Sequence, residues 1–110
     1  MSRSDRERVT DALTHLAIQV EHLGRGDLSD STVADAVCLR LAAALDALAA
    51  TSEAFRAQTF GDDWYVMRST RNRIAHGYIS IDMTLISATV ENDIPGLVHQ
   101  FRLALDGDMI

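Results

Sequence analysis

Lysine is absent from this chain, and all ten of its basic residues are arginine. Sixteen acidic residues outnumber them and leave a net charge of −6. That balance excludes a protein that coats nucleic acid non-specifically, because such binding scales with the number of phosphates neutralised. Any nucleic-acid contact has to come from a local cluster of arginines. A lone cysteine, Cys38, excludes an intrachain disulfide. One proline and six glycines exclude collagen-like and disordered classes. No apolar run approaches the ~20 residues that span a bilayer; the longest, around Ala42 to Leu45 and Ala47 to Ala50, is interrupted by Asp46. The polar start Ser2-Arg3-Ser4-Asp5-Arg6-Glu7-Arg8 has no apolar signal region behind it, so a cytoplasmic protein with no membrane contact is expected. What remains is ordinary globular composition, with 47% hydrophobic and 24% charged residues in 110. One domain over residues 1–110, with one core, is expected.

The patterning is helical throughout. Ser4-Asp5-Arg6-Glu7 reads as a capping box, followed by Val9, Leu13, Leu16, Val20 and Leu23 at spacings of three and four until Gly24. A second start lies at Ser29-Asp30-Ser31-Thr32. From it Val33, Val37, Leu41, Ala44, Leu48 and Phe55 keep the helical period, which predicts one long helix that ends between Thr51 and Phe60, before Gly61. Asp62-Asp63 opens a third helix that turns Val66, Met67, Thr70 and Ile74 to the core and ends at Gly77. Ser80-Ile81-Asp82 starts a fourth, with Leu85, Ile86, Thr89 and Val90 inward; Pro95 breaks or restarts it. Leu97, Val98, Phe101 and Leu105 line the last, and the tail from Asp106 is expected to fray. No window alternates with period two, so the expected fold is an all-α, up-and-down bundle of four to five helices. The alanine-rich second helix suits close approach to a neighbouring helix or to another subunit.

Reactive side chains concentrate in Met67-Arg68-Ser69-Thr70-Arg71-Asn72-Arg73-Ile74-Ala75-His76-Gly77-Tyr78. Arg68 and Arg71 neighbour each other on a helix, and Asn72 lies one turn after Arg68. Arg71 and His76 stand about 140° apart on an unbroken helix; unwinding at Gly77 would bring His76, and Tyr78 with it, back over the last turn. A guanidinium beside an imidazole suits phosphodiester cleavage. The arginine clamps phosphate oxygens and stabilises developing charge, while an imidazole takes or gives a proton near neutral pH. No metal and no cofactor are needed for that chemistry. The competing reading is that Arg71 and His76 merely cap the last carbonyls of their helix, where cations are favoured.

The run Arg71-Asn72-Arg73-Ile74-Ala75-His76-Gly77-Tyr78 resembles the Arg-x4-His-x-Tyr signature of HepT-like proteins, the toxin half of HEPN/MNT toxin–antitoxin modules. Trp64, Ile81-Asp82 and Val90 to Leu97 resemble the family as well, and the likeness runs from about Asp35 onward. It implies a homodimeric HEPN-like bundle whose Arg and His from both subunits line an interface cleft. It also implies a metal-independent endoribonuclease acting on an RNA substrate, with Arg71 as phosphate binder, His76 as acid and base, and Asn72 orienting one of them. The implied partner is a nucleotidyltransferase antitoxin that silences the toxin by transferring AMP to Tyr78. The chain departs from the family at Leu45-Asp46, where a Gly-Glu pair is common, at Ser69-Thr70 in place of Gly-Met, and near Leu85 and Ile86 in place of a Trp.

Asp46 sits in an otherwise apolar alanine face, and a buried carboxylate there would need an arginine from the third helix, a site-supporting role. Arg68 would support the same site. His15 and His22 are two turns apart and lack a third ligand, so they read as surface or boundary residues; His99 reads as solvated and Cys38 as a small buried hydrophobe. Two other functions stay open on the sequence. The groove can hold a nucleotide or RNA without cutting it, as a module for a nucleotidyltransferase, or the chain can be a plain structural dimer.

Overall fold

The computed structural model describes residues 4–76 and 82–110. They form α1 (Asp5–Leu23), α2 (Ser31–Ala49), α3 (Glu53–Phe60), α4 (Asp63–His76), α5 (Met83–Ala88) and α6 (Ile94–Asp106), with a π-helical stretch Thr89–Asp93 between the last two. Because α5, the π stretch and α6 run on without a break, the described residues make five helical rods, the all-α bundle that the patterning predicts. No described helix is long and apolar enough to cross a membrane.

Local chemistry sets most of the ends. Ser4 accepts from the Glu7 amide while the Glu7 carboxylate accepts from the Ser4 amide, so the capping box forms. Asp30 caps α2 through the amides of Thr32 and Val33, and Asp82 caps α5 through those of Thr84 and Leu85. In the turn before α2, the Ser29 hydroxyl and amide donate to Asp27 and hold its carboxyl below the usual range.

The predicted long second helix is instead two. It ends at Ala49, bends at Thr51 and restarts at Glu53. Thr51 Oγ1 donates back to the Leu48 carbonyl, and Ser52 caps α3 through the Phe55 amide. From the far side, Asp5 of α1 accepts from both the Ser52 amide and the Ser52 hydroxyl at 2.7 Å. A carboxylate 47 residues away thus holds the break open, and no pattern within the segment reveals it. Asp5→Ala removes both bonds, and should lower stability by about 1–2 kcal/mol, read as a lower urea midpoint at unchanged slope.

Pro95 restarts a helix, as expected: α6 begins one residue before it. Proline has no N–H to continue the ladder, and the rod accommodates this without a gap: it widens by a residue just before, so that the Ile94 amide reaches the Thr89 carbonyl. Pro95 then falls in the first turn of α6, where its missing donor costs little.

α1 and α2 form an antiparallel hairpin, since Gln19 Nε2 meets the Val37 carbonyl at 3.4 Å and His15 Nδ1 meets Arg40 Nη1 at 3.1 Å. The buried stripe of α1 is Val9, Ala12, Leu16 and Gln19. It turns Gln19 inward, while Val20, expected inside, is 64% exposed. α2 is the hub of the core through Val37, Leu41, Ala44 and Leu48. Cys38 is buried there as expected; burial pushes its thiol up, and the Asp35 charge adds to the effect. Phe55, Phe60, Trp64 and Phe101 close one end of the core, with ring centroids 5.5–6.5 Å apart. The tail contacts α1: Arg6 donates to the Leu105 and Ile110 carbonyls and pairs with Asp108 at 3.5 Å.

Candidate functional site

α4 presents two polar faces. On one, Arg71 reaches α2, where its Nε donates to Asp46 Oδ1 at 2.7 Å. The arginine partner predicted for Asp46 is therefore present, but Asp46 is not buried: 53% of its side chain and 35% of that of Arg71 face solvent. An exposed pair contributes about 0–1 kcal/mol to stability, so its value lies in orientation. With Nε taken by Asp46 and Nη1 donating to Asn72 Oδ1 at 3.3 Å, the guanidinium is held from two sides while still partly open to water. A clamped, accessible guanidinium suits a phosphate oxygen.

On the other face lies a groove of about 750 Å³ between α4 and the start of α5. Arg68, Asn72, Arg73 and His76 line its α4 side, and Asp82, Leu85 and Ile86 its α5 side. Thr70 and Ile86 are buried at its floor, whereas Arg68, Asn72, Arg73 and His76 are exposed. Arg71 does not line this groove. α4 stays helical through His76, so within one chain Arg71 and His76 diverge around the helix as unbroken geometry requires. Asn72 links the two faces, since it bonds Arg71 and lines the groove with His76. Gly77, the expected unwinding point, and Tyr78 lie outside the described residues.

Arg68, expected to support the site, lines the same groove as His76. Arg73 and Tyr65, which line it too, were not singled out by spacing. Tyr65 carried a signal that a helical projection reveals, because residues 65, 72 and 76 follow one another at seven and four positions on one face. Three of the ten arginines fall at positions 68, 71 and 73, which is the local cationic cluster that an acidic protein needs to meet a polyanion. His15 pairs with Arg40 between α1 and α2, and His99 is exposed. Among the described residues no group of three or more His, Cys, Asp or Glu side chains could share a metal ion.

The fold is thus an all-α bundle that displays a braced arginine, an asparagine and a histidine on one helix. The family model Ribonuclease HepT-like matches residues 7–103, which takes in α1 as well as the motif helix. The chain belongs to the HepT-like ribonuclease family. Neither a curated protein nor a solved structure matches it.

Proposed function

We propose that this protein is an endoribonuclease toxin of a HEPN/MNT toxin–antitoxin module, acting without a metal through Arg71 and His76. The observation that carries this reading is the arrangement on α4: Arg71 braced by Asp46 and Asn72, with Asn72 continuing into the groove of His76. Family membership supports the substrate class, RNA. In the proposed step the ribose 2′-oxygen bonds to phosphorus as the bond to the 5′-oxygen breaks. His76 takes the proton from the 2′-hydroxyl and passes it to the departing 5′-oxygen, and Arg71 bears the charge on the phosphate.

Arg71 and His76 face apart within one chain, so a homodimer completes the site by setting the Arg71 of one copy against the His76 groove of the other. Leu39, 66% exposed, supports a second copy at α2, because with Ala36, Ala43 and Asp46 it occupies one face of that helix. A single domain over residues 1–110, working in the cytoplasm, fits this reading.

The partner is a nucleotidyltransferase that transfers AMP to Tyr78, two residues beyond His76. The added phosphodiester would compete for the phosphate site and silence cleavage. Intact mass after co-expression with such an enzyme tests this. The expected gain is one or more AMP units, absent in Tyr78→Phe. A stable complex without mass gain contradicts AMP transfer and leaves occlusion as the means of silencing; neither gain nor complex removes the antitoxin from the account.

A further inference from the structure

The groove holds a residue that neither proton transfer nor phosphate clamping uses. Tyr65 is 71% exposed and lines the groove about three turns before His76, the proposed proton carrier. Its neighbour Trp64 does the structural work of that turn, packed on Phe60 at 5.5 Å and covered by Arg56 at 5.6 Å; Tyr65 is turned away from that cluster. At about 100° per residue Asn72 and His76 lie within about 20° of Tyr65 around the helix, and Arg68 about 60° from it. His76 stands about 16 Å further along the axis. One face of α4 therefore carries, in line, an exposed aromatic ring, Asn72 and the proposed proton carrier, with Arg68 to one side.

We infer that Tyr65 is a base-stacking residue, and that the groove takes single-stranded RNA with an unpaired base, displaced along the strand from the phosphate at His76, laid on the Tyr65 ring. The inference rests on the ribonuclease reading and names its substrate as single-stranded. An aromatic face stacks a free base of any sequence, whereas bases in a duplex have both faces covered. The charge balance points the same way. At −6 the protein gains little from long-range attraction, so affinity depends on short-range contacts, and stacking is one that salt does not screen.

The test is fluorescence anisotropy with a labelled 2′-O-methyl single strand, which cannot be cut through its 2′-oxygen, beside a duplex of the same sequence. Tyr65→Ala should weaken single-strand binding roughly tenfold or more. Tyr65→Phe, which keeps the ring and loses the hydroxyl, should stay within about twofold by the same argument. The salt dependence of binding should not change in Tyr65→Ala, because no phosphate contact is removed. Equal single-strand affinity in wild type and Tyr65→Ala overturns the inference, and so does equal loss in Phe and Ala variants, which would assign the role to the hydroxyl. A changed sedimentation mass in Tyr65→Ala overturns it as well, by placing the ring in a subunit contact. Because the probe is uncleavable, these outcomes are independent of catalysis. A wild type that binds through Tyr65 yet cuts no RNA sinks the ribonuclease reading alone.

Discussion

His76→Ala should lower the rate of RNA cleavage by about 10²–10⁴-fold, the range that a positioned general acid or base supplies. His76 is exposed at the last turn of α4 and fills no core position. Its removal costs the fold at most the ~0.3–1 kcal/mol of a cation at a helix C-terminus. Thermal melting should therefore be almost unchanged. Binding of an uncleavable strand should survive, since Arg68, Asn72, Arg73 and Tyr65 still line the groove. A variant that binds but does not cut separates an enzyme from a binding module. If His76→Ala cuts at the wild-type rate, His76 is a helix cap and the acid–base assignment is wrong.

Arg71→Ala should cost about 10²–10³-fold in cleavage, comparable to losing one donor to a developing oxyanion. Arg71→Lys should recover little, because an ammonium cannot offer one edge to Asp46 while keeping a planar edge for phosphate. Asp46→Asn should cost less than either: it leaves the guanidinium in place and weakens only its anchor, the 2.7 Å bond to Nε. The divergence of Arg71 from the His76 groove adds a sharper expectation. If each site takes Arg71 from one subunit and His76 from the other, an equal mixture of Arg71→Ala and His76→Ala proteins should regain about a quarter of wild-type activity, because half the dimers are mixed and each mixed dimer has one intact site of two. No recovery after subunit exchange would place both residues of a site in one chain.

Much of the fold was legible because it is written in short-range chemistry. The Ser4–Glu7 box, the Asp30 and Asp82 caps and the apolar spacing of α2 are local signals, and the structure uses each of them. The break at Thr51 was not legible, because its cause lies on another helix: Asp5 captures Ser52 through two bonds. Gln19 replaced Val20 in the core for a similar reason. The contact stripe of α1 follows the line of α2, and a carbonyl at Val37 gives the amide a partner. At the site, the reasoning that Asp46 needs an arginine found the right contact on a mistaken premise, since the pair is exposed rather than buried. The motif spacing located Arg71, Asn72 and His76 on one helix. It could not tell that Arg71 would turn to α2 and leave the groove to His76, which depends on how α4 packs against its neighbour.

The most direct test of the account is incubation of the purified protein with a labelled single-stranded RNA in excess EDTA, with the product ends identified by mass. Cleavage should leave a 2′,3′-cyclic phosphate or its 3′-phosphate, should not occur where the 2′-hydroxyl is methylated, and should be slowed at least about a hundredfold where His76 is alanine. Intact RNA, or cutting that requires added metal or proceeds at the wild-type rate in His76→Ala, would contradict the account.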